Sequence, residues 1–401
     1  MVQIVVANHA KDANHAKCAK HKGAGVTERL RIAHVIGALN YGGVEAMALL
    51  LLKQLPSDLF EHHLIYIGTE PPLRKEEFSH HVGSFSQIPY RFRRSISFVS
   101  KLSSRLKELK IDAVLCHNFG NHPFIGMAAR WAGIKRVYTI VASSPCSTPK
   151  SRSKNRMKGW LGRPWCNLEI AVSAPLAKEL ETELGLPARR LRTIVNCCPT
   201  REIGERADRS RLDRVVDSTD APQLVMVARM DEAKDQDTLL RAIAYLKQQG
   251  RRIQLCLAGD GPRRALLNQL AEQLGLQDCV TLPGARQDIP ELLGSSDLFV
   301  FSTRTEGFGL ALIEAMSAGV PILSSDLDVC REILADGSCG MLFPVGDVKS
   351  LADGIAKMLD QPELARSFAI AARMRANEVY SPETAVKQYT QLLQGKMDEL
   401  P

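Results

Sequence analysis

Eleven short runs rich in β-branched and aliphatic residues recur along the chain, and a segment of helical periodicity separates most of them. This alternation restricts the fold more than any other feature of the sequence. Strands joined through helices lie parallel, and a parallel sheet needs helices over both faces to cover it. In the first half the runs are RIAHVIG (31–37), HLIYIG (63–68), AVLCH (113–117), RVYTIV (136–141), LEIAVS (168–173) and RTIVN (192–196). In the second half they are QLVMVAR (223–229), QLCLAG (254–259), VTLPG (280–284), DLFVFS (297–302) and PILSS (321–325). Between them, segments such as DTLLRAIAYLKQQG bring Leu239, Leu240, Ile243 and Leu246 to one helical face.

A chain of 401 residues has material for two such units. The polar stretch CCPTREIGERADRSRLDRVVDSTDAP interrupts the alternation, as a linker or a peripheral helix would, and marks a joint near residue 200. The expected organisation is an extension outside the fold over 1–30, an α/β domain over 31–200, a linker over 201–222 and a second α/β domain over 223–380. A C-terminal helix over 381–401 is expected to pack back on the first domain. Both domains read as Rossmann-like, doubly wound sheets facing a central cleft, and such sheets bind ligands outside the carboxyl ends of their strands.

Charge divides at the same joint. Residues 1–222 carry 34 Lys and Arg against 20 Asp and Glu, whereas residues 223–401 carry 18 against 24. Such asymmetry predicts different partners for the two halves. From Ala113 to Leu168 there is no acidic residue, and KSRSKNRMKGWLGR (150–163) sets six bases beside Trp160 and Trp165. This stretch reads either as a loop that meets an anion, a phosphorylated acceptor or an anionic membrane surface, or as a solvated basic loop. No nucleic acid is expected, since no recognition fold accompanies the charge. The early apolar run AMALLLL is too short to span a bilayer. The first thirty residues lack the order of a secretory signal, and their His9, His15, Cys18 and His21 fit no ordinary zinc spacing, so they read as a solvated tail. Ten cysteines without a C-x-x-C pair fit free thiols in a reducing compartment, so the expected location is cytoplasmic, peripheral on the inner membrane face where the basic stretch meets lipid.

The strand-end rule selects ALNYGGVE, NFGNHP, MDEAKDQD, DGPRR and TRTEGFG, each rich in glycine or polar groups. Gly307 and Gly309 stand where EGFGLALIEAMSAG turns into a helix, and Gly42 and Gly43 stand before VEAMALLLLKQL. Each pair is either a tight turn or a site where unbonded helix amides and the helix dipole hold an anion such as phosphate. Arg229 and Lys234 flank MDEA, to grip phosphate oxygens or to pair with Asp231, Glu232 or Asp235 beside them. Glu314 falls about two turns into the helix, on the side of Leu310, Ile313 and Ser317. A half-buried acid there needs donors, which sugar hydroxyls or a backbone amide can supply. Glu306 projects towards whatever the helix N-terminus holds. Phosphate beside hydroxyl groups describes a nucleotide sugar.

The run EGFGLALIEAMSAGVPILSSDLDVCREIL resembles the signature of retaining nucleotide-sugar glycosyltransferases of the GT-B fold, glycosyltransferase family four. The resemblance spans roughly 31–398 and takes in VARMDEAKDQDTLL, LAGDGPRR, LPGARQDIPELLGSSDLFVFST and GMLFPVGDVKSLADGI, with GALNYGGVE and AVLCHNFGN as more diffuse matches. It implies that Arg229 and Lys234 hold the donor diphosphate and that Glu314 bonds the ribose. Glu306 and the backbone of Phe308, Gly309 and Leu310 would place sugar and phosphates. It also implies that the loop Gly284 to Asp288, with Arg286, lies against the base, that Gly42 and Gly43 line the cleft, and that His117 stands at the sugar end. His117 alone, at a strand end, reads equally as structural. The chain departs from the family pattern at Val141, where a histidine is usual, and at NCCP (196–199). The implied reaction is transfer of a sugar to a hydroxyl of a sugar, phosphorylated or lipid-linked acceptor with retention, in glycan, polysaccharide or glycolipid synthesis. Neither cofactor nor metal is expected, and DLD at 326–328 reads as a loop and helix cap. A nucleotide-sugar epimerase of the same fold and a non-catalytic nucleotide-sugar binder are the rival readings.

Overall fold

The computed structural model describes residues 29–40, 42–91, 95–117, 119–143, 149–213 and 221–396. The tail with His9, His15, Cys18 and His21 therefore lies outside the described residues. The first sheet comprises β1 (Leu30–Ile36), β2 (Phe60–Tyr66), β3 (Ser84–Gln87), β4 (Ala113–Cys116), β5 (Arg136–Val141), β6 (Leu168–Ala171) and β7 (Leu191–Thr193). Its order is β3-β2-β1-β4-β5-β6-β7. The second comprises β8 (Gln223–Val227), β9 (Gln254–Ala258), β10 (Val280–Gly284), β11 (Leu298–Phe301), β12 (Ile322–Ser325) and β13 (Met341–Phe343), in the order β10-β9-β8-β11-β12-β13. Every paired strand runs parallel. Strand order reverses between β1 and β4 in one sheet and between β8 and β11 in the other, and these are the two crevice-forming points.

The central strands are apolar on both faces because helices cover both. In β1, Ala33 and Val35 pack with Val114 and the Ser95–Glu108 helix, while Ile32 turns to the opposite core with Met47, Leu50 and Leu51 of the Gly43–Gln54 helix. All four residues of β11, Leu298 to Phe301, are buried; each such side chain contributes about 1.5–3 kcal/mol of transfer free energy. One apolar cluster runs continuously from the first sheet through Cys197, Cys198 and Ile203 into the second. The eight described cysteines are free thiols.

The polar stretch at the joint, read as a linker or a peripheral helix, contains the Thr200–Asp213 helix, which docks on the second domain: Arg206 grips Glu291 through two 2.8 Å bonds and Asp208 pairs with Arg373 at 2.6 Å. Its apolar contribution is only Ile203 and Ala207, too narrow a stripe to announce itself among so many charges. The basic stretch expected as a loop is the Pro149–Gly162 helix, since Lys, Arg, Met and Leu are good helix formers, and Gly159 is tolerated near its end. Met157, Trp160 and Leu161 on it are exposed. The strands β3 and β13 had no counterpart in the sequence reading.

The Pro382–Gln394 helix returns to the first domain, where Arg136 Nη1 donates to Leu393 O at 3.0 Å and Tyr138 Oη to Leu392 O at 3.1 Å. No helix among the described residues is long and apolar enough to cross a membrane.

Candidate functional site

The loops after β8 and β11 are laced together. Thr303 Oγ1 donates to Ala233 O at 3.0 Å, Arg304 N to Ala233 O at 2.8 Å, and Ser302 Oγ to Asp235 O at 3.1 Å. Asp235 stands in the left-handed region at φ 47°, a conformation Asp tolerates, and its carboxylate accepts from Thr238 Oγ1 at 2.8 Å and Arg304 at 3.0 Å. This corner aims Lys234 at the β11 loop. Its Nζ lies 2.5 Å from Glu306 Oε2 and 5.6 Å from the centre of the Phe301 ring, with both charged side chains largely buried. Lys234 thus pairs with none of its sequence neighbours; its partner is the other candidate residue.

Glu306 Oε1 also accepts from the amides of Gly307 at 2.9 Å and Phe308 at 3.3 Å. Those two amides are therefore already occupied, and the helix begins later than the motif reading implied, at Leu310, after Gly309 at φ +86°. The amides of Gly309, Leu310 and Ala311 make no bond to another described residue. A positive helix end thus lies open beside a Lys–Glu pair, the arrangement that receives an anion. Because the helix starts at Leu310, Glu314 sits just past its first turn. It has no hydrogen-bond partner among the described residues, so the backbone-amide alternative does not occur. Burial raises its carboxyl to about 7. Arg229 is exposed and only loosely paired, 3.8 Å from Asp231.

The first domain closes on this loop directly. A Cβ on Gly307 would lie 2.6 Å from Ala142 O, so only glycine fits under the end of β5, and buried Ser173 Oγ donates to Gly307 O at 3.1 Å. A Cβ on Gly43 would meet Leu310 at 3.9 Å, so the starts of the Gly43–Gln54 and Leu310–Ala318 helices face each other across the cleft. The end of the first of these is not open, however. Glu45 folds back so that its Oε2 would lie 2.6 Å from a Cβ on Gly42. Burial raises the Glu45 carboxyl, opposed by its own backbone amide, Arg74 and Arg229, the last reaching it from the second domain.

The remaining candidates spread out. Gly284, at φ +89°, joins the rim through Gly259 N–H donating to its carbonyl at 2.9 Å. Arg286 is exposed and paired with Asp288, with Nε 2.9 Å from Oδ1, near the sheet edge formed by β10 and in no contact with Lys234, Glu306 or Glu314. Asp326 of the DLD stretch is paired with Arg331 at 2.5 Å, and Asp328 opens the Asp328–Ile333 helix. His117 follows β4 at the switch point and is buried, its Nε2 lying 3.2 Å from His34 Nδ1. Sequence reasoning missed Glu45, Ser173, His34 and His62. Only Glu45 left a local signal, as the fourth residue of G-G-V-E, the spacing by which a glutamate caps a helix start.

Two parallel, doubly wound domains whose switch points open on one crevice make up the GT-B architecture. The model of the family "Glycosyltransferase Family 4" matches residues 41–202, and that of "Glycosyl transferases group 1" matches 208–375. N-acetyl-alpha-D-glucosaminyl L-malate synthase of Bacillus anthracis is 27% identical over 87% of this chain and 92% of its own length. An N-acetylgalactosamine-N,N'-diacetylbacillosaminyl-diphospho-undecaprenol 4-alpha-N-acetylgalactosaminyltransferase of Campylobacter jejuni is 26% identical over 85% of this chain and 93% of its own. Anabaena HepE, solved in complex with UDP and glucose, superposes with a TM-score of 0.79 at 19% identity, covering 92% of this chain and all of that one. The chain belongs to the family 4 glycosyltransferases of the GT-B fold, and it is a glycosyltransferase enzyme.

Proposed function

We propose that the protein transfers a sugar from a nucleoside diphosphate to a hydroxyl of a lipid-linked or phosphorylated acceptor, with retention and without a metal ion. The observation that carries this is the 2.5 Å Lys234–Glu306 pair at the open end of the Leu310–Ala318 helix. A diphosphate arriving there takes Lys234, Arg229 and the amides of Gly309, Leu310 and Ala311. Glu306, released from Lys234, turns to the hydroxyls of the donor sugar, and Glu314 accepts from the ribose. The bond from the anomeric carbon to the diphosphate breaks as the acceptor oxygen approaches from the same face. The acceptor proton passes to the departing phosphate oxygen. Fixed positive groups lower the barrier by meeting charge that develops on the leaving group.

The donor class is supported by HepE, which binds UDP and glucose, and the acceptor class by the Campylobacter relative, whose acceptor carries diphospho-undecaprenol. A peripheral position on an anionic membrane face fits the basic Pro149–Gly162 helix with its exposed Trp160. The test is a screen of UDP-, GDP- and ADP-sugars for nucleotide release by the full chain, with and without EDTA. One class is expected to turn over in EDTA. Activity lost in EDTA and restored by manganese would replace the metal-free scheme, and failure to hold any nucleotide at millimolar concentration would end the donor reading.

A further inference from the structure

Behind His117 runs a row of imidazoles. His34 Nδ1 lies 3.2 Å from His117 Nε2, and His34 Nε2 lies 3.1 Å from His62 Nδ1. The row crosses three adjacent strands, from β2 through β1 to the end of β4, and all three rings are buried. The His34 and His117 rings are nearly parallel, 15° apart, while those of His34 and His62 stand at 65°. At the far end, His62 Nε2 is buried with no partner. At the near end, the ring nitrogen of His117 left over from the row is Nδ1, and His117 stands at the switch point between β1 and β4.

Neutral imidazole has one donor and one acceptor, so such a row has only two self-consistent polarities. In one, each Nε2–H donates towards β2 and an unbonded N–H is buried at His62. In the other, each Nδ1–H donates towards the cleft and only a lone pair is orphaned. An orphaned buried donor is the rarer and costlier of the two. A proton added to His34 would turn an acceptor into a donor facing a neighbour, and burial, followed by the adjacent His62 and His117, lowers its basicity strongly.

We propose that His34 and His62 are positioning residues that hold His117 as its neutral Nδ1–H tautomer, which presents a fixed hydrogen-bond donor to an oxygen of the bound sugar. What receives the bond rests on the donor reading above; the tautomer does not, and can be measured without substrate.

The full chain labelled with ¹⁵N-histidine, its rings assigned through single substitutions of His34, His62 and His117, tests the proposal. In ligand-free wild type, His117 is expected to show an unprotonated Nε2 and a protonated Nδ1. In His34→Leu, which keeps the volume and removes the relay, His117 should become a tautomer mixture and kcat should fall about tenfold to a hundredfold at little-changed donor KM. His34→Gln, able to accept and donate, should recover both. A wild-type His117, assigned by the His117 substitution, that is protonated at Nε2 overturns the proposal even if both His34 variants fail to fold, and so does a His34→Leu variant with unchanged His117 tautomer. If no nucleotide sugar turns over, the donor reading fails while the tautomer result stands.

Discussion

The second domain meets the cleft with charges held in pairs that a ligand can re-partner: Lys234 against Glu306, Arg229 loosely against Asp231, and open amides at Gly309 to Ala311. The first domain meets it with neutral groups whose directions are locked, the row His62–His34–His117, and with backbone that Gly307 and Ser173 press close. In the proposed reaction a diphosphate changes the charge of its surroundings when it binds and again when it leaves, so the second domain, proposed to hold it, would need mobile compensation. A hydroxyl brings no charge, and what it needs is a donor or acceptor that does not turn. On that proposal, the division of labour follows from what each surface would recognise.

Lys234→Ala strikes this comparison hardest. It removes the mobile cation and leaves Glu306 held only by the amides of Gly307 and Phe308, so turnover should fall about a hundredfold or more. Steady-state donor hydrolysis and transfer near wild-type rates would mean that the second domain does not work by re-pairing charge.

Titration sharpens the contrast, because Glu314 and the histidine row respond to pH with opposite sign. Glu314 has its folded pKa raised by burial from 4.5 to about 7, so the native state holds more protons than the unfolded chain between those values. Stability is lost as pH rises through that window. His62 and His117 are pushed by burial from 6.5 to about 4, so their contribution is gained as pH rises through 4 to 6.5. Glu314→Gln should therefore gain about 2 kcal/mol relative to wild type on going from pH 5 to pH 8 in urea unfolding. It should also bind nucleotide roughly tenfold more weakly, from loss of a charged acceptor. Equal unfolding midpoints across the pH range would show that Glu314 is not the buried acid described.

Gly307→Ala tests the contact between the two faces. Its Cβ would enter the space of Ala142 O, 2.6 Å away, with no flexible side chain to yield. The expected cost is about 1–3 kcal/mol of stability, with weaker donor binding as the domains part. A variant with unchanged thermal midpoint and donor KM would show that the closure is not needed.

How much of this was legible in the sequence follows the same line. The second-domain residues lie in local motifs, so Lys234, Glu306 and Glu314 could be named from a few contiguous stretches. The central strands could be read because burial on both faces makes them uniformly apolar, as in LFVF. The edge strands SFSQ and MLF are short and partly exposed: SFSQ is as polar as a loop, and MLF, though apolar, is only three residues long. His34 and His62 were invisible for a different reason. Their meaning lies in pairing across strands, 28 and 83 residues apart, and a lone histidine in a strand looks like any core residue. The Pro149–Gly162 helix was taken for a loop because its charges follow no apolar stripe. Pairing with something outside the chain is what such a helix invites.

That helix carries the smallest expected effect on chemistry. Lys154 and Arg156 are exposed on it, as are Met157 and Trp160, so bases and apolar side chains share an accessible surface. An anionic bilayer would gain about 1 kcal/mol per base near its surface, with the aromatic ring at headgroup depth. Lys154→Glu with Arg156→Glu reverses two charges and touches neither the Lys234–Glu306 pair nor the histidine row. It should leave hydrolysis of a soluble donor within about twofold while lowering flotation with phosphatidylserine vesicles about tenfold or more. Raising ionic strength should weaken wild-type flotation in the same way, since exposed charges are screened over about 8 Å at physiological salt. Flotation that ignores both the substitutions and the salt would assign this helix a solvated role and leave the acceptor to be recognised within the cleft alone.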